Sequence, residues 1–392
     1  MAANLKEIAS SAVEGSTDEL KDIGEKLWSN PELGFKEHKA HDLLTSFLEE
    51  KGFTVERSYT GIETAFKATF GSGRPNVCVI CEYDALPEIG HACGHNLIAE
   101  AGVAAGLGVK AVLNSKYVPI GRLTVMGTPA EETVGGKVKL VENGAFEDVD
   151  IAMMVHPAPY TVLTNEVVAC LEWRITYTGK AAHAAGFPWE GVNALDAAVM
   201  AYTSISVLRQ QMKPTWRVHG IITNGGAKPN IIPEKAAMEY FIRAPTRKEA
   251  NAFGKKVRAC LEAAAIATGC QLQIEEEPVL DDLQHNSLLG KCYSENYQSL
   301  GHQIQNSLEE AGVGSTDMGN VSYVVPSIHP LFKIGSGQMN HTREFTSVAN
   351  TPEAHSETLV AAKAMAHTCI DILTTDGLLE QIRSEFEKQI KQ

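Results

Sequence analysis

Four short segments, well separated in the chain, carry residues of metal-binding type. They are Glu82-Tyr-Asp84-Ala-Leu-Pro, His91-Ala-Cys93-Gly-His95-Asn96, Pro129-Ala-Glu131-Glu132 and His156-Pro157. Cys93 and His95 stand two apart around Gly94, so both can approach one ion, the first as thiolate and the second as neutral imidazole. Glu132 adds a carboxylate and His156 a further nitrogen. A mixed sulfur, nitrogen and oxygen set suits zinc first, with manganese or cobalt as alternatives. A single such histidine reads more readily as a hydrogen-bonded core or surface residue; the set carries the argument.

Adjacent Glu131 and Glu132 repel one another, and a salt-bridged turn is the plainer reading. A division of labour explains the pair better. Glu132 holds metal, while unligated Glu131 takes a proton from water that the cation has acidified and passes it to a leaving amine. A bound divalent cation can bring the pKa of water to about 7. The chemistry is hydrolysis of an amide or peptide bond.

The elements that must position these residues are legible as apolar runs. Val77 to Cys81, Leu123 to Met126 and Ile151 to Val155 read as buried strands, each running into one of the polar segments. In open α/β sheets, sites form beyond the carboxyl ends of strands, so three segments deliver ligands to one edge. A Gly- and Ala-rich helix, Leu97 to Leu113, and a shorter one, Lys137 to Asn143, separate the strands, which implies a mostly parallel, helix-covered sheet. Ser16-Thr-Asp-Glu19 resembles a capping box for a helix that Pro31 ends, and a second helix spans His38 to Glu50.

The middle of the chain changes character. Strands at Ala169 to Thr178, Val218 to Thr223 and Ala236 to Arg243, with helices at Leu195 to Gln210 and Arg247 to Thr268, follow a ferredoxin-like β-α-β-β-α-β order. This predicts an inserted α+β domain over 168–280. Residues 1–167 and 281–392, the latter including a helical pattern from Ser356 to Leu379, form the metal-binding domain.

With 392 residues the chain is long enough for about two domains, and its 44% apolar and 21% charged composition is that of a globular protein. A formal charge of −14 argues against nucleic acid and anionic membranes as partners. The segment Met1 to Ser11 lacks the pattern of a secretory signal, and Ala101 to Leu113 is too short to span a bilayer; a cytosolic protein is expected. Cys78 and Cys81 form a C-x-x-C, but three residues apart on a strand they point to opposite faces and read as core thiols rather than a redox pair.

Asn30-Pro-Glu-Leu-Gly-Phe35, Asp84-Ala-Leu-Pro, His91-Ala-Cys-Gly-His95, Pro129-Ala-Glu-Glu132 and His156-Pro157, in this order, resemble the amidohydrolase branch of the aminoacylase/carboxypeptidase metallopeptidase superfamily. The resemblance covers essentially the whole chain. It implies two divalent metal ions per subunit, held by Cys93, His95, Glu132, His156 and a late histidine. His341, in Gly335-Ser-Gly-Gln-Met-Asn-His341-Thr-Arg-Glu-Phe345, is the best late candidate, ahead of His355 and His329. Asp84 resembles the aspartate that orients a ligand histidine.

The inserted segment resembles the family's lid and dimerisation domain, which implies a homodimer. Gly179-Lys-Ala-Ala-His183-Ala matches the motif whose histidine reaches the partner subunit's active site and donates to the oxyanion. Asn230, in Gly225-Gly-Ala-Lys-Pro-Asn230, matches the lid residue that contacts substrate, although a plain Gly/Pro turn also explains it. Arg243 suits a substrate carboxylate or, equally, a strand-end salt bridge. Glu82 stands where the wider superfamily has a ligand histidine, which the amidohydrolase branch also lacks. Asn96 stands where most of the branch has Asp, and this form, with Gly314-Ser-Thr-Asp317-Met-Gly-Asn-Val-Ser-Tyr-Val-Val-Pro326, resembles the β-alanyl-lysine type dipeptidases and the p-aminobenzoyl-glutamate hydrolases. The implied substrates are β-alanyl or γ-aminobutyryl conjugates of Lys or ornithine. N-acyl-amino-acid or p-aminobenzoyl-glutamate hydrolysis is the alternative.

Two readings of other classes compete. A catalytically silent metal-binding or scaffold protein would need no unligated carboxylate at Glu131. A thiol protease built on Cys93 would be insensitive to chelators. No G-x-S-x-G, P-loop or G-x-G-x-x-G occurs, so serine-hydrolase and nucleotide chemistry have no support.

Overall fold

The computed structural model describes residues 2–115, 121–307, 314–335 and 337–391. The chain divides into two compact units, one comprising Met1–Glu166 and Leu283–Gln392, the other Val167–Asp282.

The first unit is built on β1 (Thr54–Arg57), β2 (Phe66–Ser72), β3 (Asn76–Cys81), β4 (Gly121–Gly127), β5 (Ile151–Met153) and a short strand, Ser327–Ile328. In the sheet they lie in the order β1-β2-β4-β3-β5 and then Ser327–Ile328. The last four run parallel, while β1 and β2 are antiparallel. Every residue of β3 is buried, as expected of a central parallel strand covered on both faces. Val77, Val79 and Cys81 face one core, shared with the helices Ala2–Glu14, His95–Leu113 and Pro352–Thr374. Cys78 and Ile80 face another, with Leu140, Phe146 and Met318. The two cysteines of the C-x-x-C thus sit on opposite faces, and burial raises both thiols.

Several elements depart from the sequence reading. The edge strand β1 and its neighbour β2 lack a strong apolar signature because both are partly exposed. Ser16 makes no capping bond through its side chain. It lies in a tight link after the helix Ala2–Glu14, where Thr17 Oγ1 donates to the Glu14 carbonyl at 2.8 Å. The C-terminal helical pattern is two helices, Pro352–Thr374 and Leu378–Ile390, broken at Gly377, whose φ of +75° ends the continuous pattern. The helix His95–Leu113 is 19 residues long, and by length and composition it could cross a bilayer. It is instead the central core helix of this unit, with sixteen of its residues buried.

The second unit contains β6 (Ala169–Thr178), β7 (Arg217–Asn224), β8 (Lys235–Ala244) and β9 (Gln271–Glu276), all antiparallel in the order β9-β6-β8-β7. This is a ferredoxin-like sheet. Leu171, Trp173, Ile175 and Tyr177 alternate inward along β6 against the helices Ala194–Val207 and Arg247–Thr268, and Glu172, Arg174 and Thr176 take the other face, the period of two expected of a half-covered strand. Thr246 Oγ1 caps the second helix by accepting from Glu249 N at 3.2 Å.

Candidate metal centre

The carboxyl ends of β3, β4 and β5 lead into the polar segments, and the backbone beyond each is bent to aim side chains inward. After β3, Glu82 and Asp84 stand two apart on one face of the extended chain. Asp84 Oδ1 accepts from His95 Nδ1 at 3.0 Å and Oδ2 accepts from Glu132 N at 2.9 Å. The carboxylate thereby holds a His95 proton on Nδ1, turns Nε2 toward the site, and ties two segments together.

Gly94 opens the helix His95–Leu113 with φ +80°. A Cβ there would stand 2.5 Å from Pro157 Cγ, so only glycine allows the approach that brings Cys93 to His156. Cys93 Sγ lies 3.4 Å from His156 Nε2, and His156 Nδ1 donates to the Pro157 carbonyl at 2.8 Å. After β4, Ala130 adopts φ +62°, held by its N–H donating to Glu37 Oε1 at 2.9 Å. This starts the turn Glu131–Val134. His341, also at positive φ, donates its backbone N–H to the Ala92 carbonyl at 2.8 Å, and its Nε2 lies 3.2 Å from Glu132 Oε1. Ser336, in the glycine turn before it, lies outside the described residues.

Four sets of potential ligand atoms each lie within 4.8 Å of one another among the described residues: Cys93, His95 and His156; Cys93, Glu132 and His341; His95, Glu131 and Glu132; and Glu82, Glu131 and Asp317. Of the late histidines, His355 is engaged elsewhere, its Nδ1 2.7 Å from Glu100 Oε2. The His329 ring packs 5.4 Å from that of His156 without joining these sets. His91, to which the sequence assigns no role, is buried, and burial pulls it down to about 4. Asn96 does not face the acidic cluster: its Nδ2 donates to the Ala349 carbonyl at 2.9 Å. It is a helix anchor rather than a contributor to charge at the site, and an aspartate could not make that donation.

The electrostatics of the site call for cations. Burial and the neighbouring Glu82, Glu132 and Asp317 hold Glu131 well above the usual carboxylate range. Burial alone would lower His95, but Cys93, Asp84 and Glu82 raise it well above an ordinary histidine. Burial pulls His156 down to about 4, which leaves it neutral. His95 Nε2 and Glu82 Oε2 are buried with no hydrogen-bond partner. Orphaned buried groups of this kind are costly, and in an acidic cluster of soft and hard donors they fit divalent ions such as zinc.

Three further residues shape the site. Lys137, fully buried, bonds Glu82 Oε1 and also Asp317 Oδ1, the latter at 2.7 Å. Glu37 holds the Ala130 bend. Sequence reading places Lys137 at a helix start and Asp317 in a family motif, but does not pair them. A lysine on the inward side of a short helix, beside Val138 and Leu140, is the available signal.

In the second unit, His183 is exposed. Its Nδ1 accepts from Gly186 N at 3.0 Å and from Ala185 N at 3.3 Å, which leaves Nε2–H as an outward donor. The Asn230 carbonyl accepts from Ala184 N at 3.0 Å, so His183 and Asn230 share one surface. Arg243, near the end of β8, lies 5.5 Å over the Phe241 ring.

Residues 169–268 match the model of the peptidase dimerisation domain. Over 99% of this chain and 93% of its own length, the Xaa-Arg dipeptidase of Mus musculus is 46% identical. A p-aminobenzoyl-glutamate hydrolase chain of Escherichia coli K12 is 31% identical over 96% of this chain and 94% of its own. A dinuclear metal-binding peptidase of the M20 family from Bacillus subtilis superposes with a TM-score of 0.69 at 21% identity, covering 92% of this chain and 99% of that one.

The chain belongs to the M20 peptidase family. It is accordingly a metal-dependent hydrolase of amide or peptide bonds, and the cluster at the strand ends is the part of the molecule equipped for that chemistry. The expected helix-covered, mostly parallel sheet with a dimerisation domain is the family architecture.

Proposed function

We propose that this M20 peptidase is a dipeptidase for small substrates ending in a cationic residue, such as β-alanyl or γ-aminobutyryl conjugates of Lys or ornithine. The observation that carries the reading is the convergence of Cys93, His95, Glu132, His156 and His341 beside Glu131. Those five residues would hold two divalent ions, zinc first and manganese or cobalt as alternatives. The ions, when bound, acidify water and polarise the scissile carbonyl. Glu131, half-buried beside them, takes the proton and returns it to the leaving amine. Asp84 keeps His95 in the ligating tautomer. In a homodimer, His183 Nε2–H would serve the partner subunit's active site, donating to the carbonyl oxygen as charge develops there. Asn230 and Arg243 are the candidate substrate contacts, Arg243 for a carboxylate.

Similarity to a protein named Xaa-Arg dipeptidase and the net charge of −14 favour cationic substrates. A cytosolic homodimer completes the reading. The edge strand β7 exposes Ile221 and Ile222, and the helix Ala194–Val207 exposes Val199, Met200, Tyr202 and Val207. An unpaired edge beside an apolar helix face suits a second copy of this chain.

The test is a panel of β-alanyl-lysine, β-alanyl-ornithine, γ-aminobutyryl-lysine and Xaa-Arg dipeptides beside p-aminobenzoyl-glutamate and hippurate, offered to metal-loaded protein. Preferential cleavage of the cationic dipeptides is expected. Cleavage of p-aminobenzoyl-glutamate or hippurate with the dipeptides untouched would refute the specificity. Light scattering on the eluting protein should give twice the chain mass; a monomer would remove the dimer.

A further inference from the structure

We infer that Glu82 is an additional metal ligand, placed on the ion that His95 binds; the inference rests on the metal-dependent reading above. Glu82 and Asp84 project from the same face of the extended chain after β3 and bracket the His95 imidazole. Asp84 takes the Nδ1 side at 3.0 Å, and Glu82 Oε2 lies 3.5 Å from Nε2, the atom that Asp84 leaves free for coordination. Two ligand atoms each about 2.0–2.2 Å from one ion at a tetrahedral angle stand roughly 3.4 Å apart. The Glu82 spacing is close to this value. Glu132 and Glu131 approach the same nitrogen only to 3.9 and 4.0 Å.

Three observations support a ligand over a plain ion pair. Glu82 is 1% exposed, yet Oε2 has no hydrogen-bond partner. Its other oxygen, Oε1, is held by Lys137, itself held by Asp317, so the carboxylate is pinned with one oxygen turned to His95. The buried Lys137 ammonium also balances part of the acidic charge of Glu82, Glu131 and Asp317 before any metal arrives. The geometry describes monodentate coordination through Oε2, with Lys137 and Asp317 as positioning residues.

Two measurements on the full-length protein decide it. Chelator-stripped wild type and Glu82→Gln are titrated with zinc and with cobalt, read by calorimetry and by the cobalt absorption spectrum. The expected result is one equivalent bound as in wild type and the other weakened about a hundredfold or more, the upper range for loss of a partner that merely supports a ligand, with a changed cobalt spectrum. Unchanged affinities and spectrum in Glu82→Gln would overturn the inference. Failure of the wild type to bind metal would instead overturn the reading on which it rests. A crystal structure of zinc-loaded wild type settles the matter even if the variant does not fold. Oε2 about 2.0–2.2 Å from an ion supports the assignment, and a separation beyond about 3 Å refutes it.

Discussion

Replacing Asp84 with Asn changes almost no volume and should nonetheless disable the metal centre. The carboxylate accepts two hydrogen bonds, from His95 Nδ1 at 3.0 Å and from Glu132 N at 2.9 Å. A carboxamide has one accepting oxygen and one donating nitrogen. If its oxygen faces Glu132 N, its NH₂ faces His95, which must then accept at Nδ1 and carry its proton on Nε2, the atom needed for the ion. If its oxygen faces His95, its NH₂ opposes the Glu132 N–H, and a buried donor loses its partner at a cost of about 1–3 kcal/mol. Loss of an orienting partner typically costs about 10–100-fold in metal affinity or activity. Because Asp84 serves two segments, the upper end, about 2.7 kcal/mol at roughly 1.4 kcal/mol per decade, is expected. Competition with a chromogenic chelator measures the affinity, and circular dichroism checks the fold. A correctly folded Asp84→Asn protein that binds zinc as tightly as wild type and turns over normally would refute the account of His95.

Glu131→Gln should bind metal as wild type does and lose about 10²–10⁴-fold in kcat, the span for removing a general base; near-normal turnover would remove Glu131 from the proton path. Gly94→Ala places a Cβ 2.5 Å from Pro157 Cγ at φ +80°, a strain of about 1–3 kcal/mol from the backbone alone, so thermal unfolding should shift down and metal retention should fall. Burial raises the Glu100 carboxyl from 4.5 to about 7 despite His355. The folded state therefore holds that proton more tightly than the unfolded chain. Its contribution is full below about pH 4.5 and is lost as pH rises through about 7, at about 1.4 kcal/mol for each tenfold difference in proton affinity between the two states. In Glu100→Gln, urea unfolding across this window should show a shallower decline than in wild type; an identical slope would contradict the assignment.

The apolar runs of β3, β4 and β5 are readable because buried parallel strands are nearly continuous hydrophobic segments, and the polar residues that follow them need no further inference to be placed at one edge. The ferredoxin-like unit is readable for the complementary reason: Leu171, Trp173, Ile175 and Tyr177 alternate with polar neighbours along β6. The weakly patterned strands β1 and β2 are not, nor is the helix Ala2–Glu14, whose inward residues Leu5, Ala9 and Val13 are diluted by Ala and Ser. In the site, Cys93, His95, Glu132 and His156 follow from residue type and strand ends, whereas His341 comes only through a family resemblance. The Glu82–Lys137–Asp317 cluster lies beyond reach, because pairing across 180 positions leaves no local pattern. Asn96 is legible as a mark of the dipeptidase-like relatives, but its contact is not. The Ala349 carbonyl it donates to is a backbone group that no sequence pattern marks.

Stepwise titration of chelator-stripped protein with zinc, manganese or cobalt, with bound ion and dipeptide cleavage followed in the same samples, tests the central claim most directly. Hydrolysis should be absent from the stripped protein and appear as the ions fill, saturating at two equivalents per chain. Full-rate cleavage by protein from which all metal has been removed would contradict it.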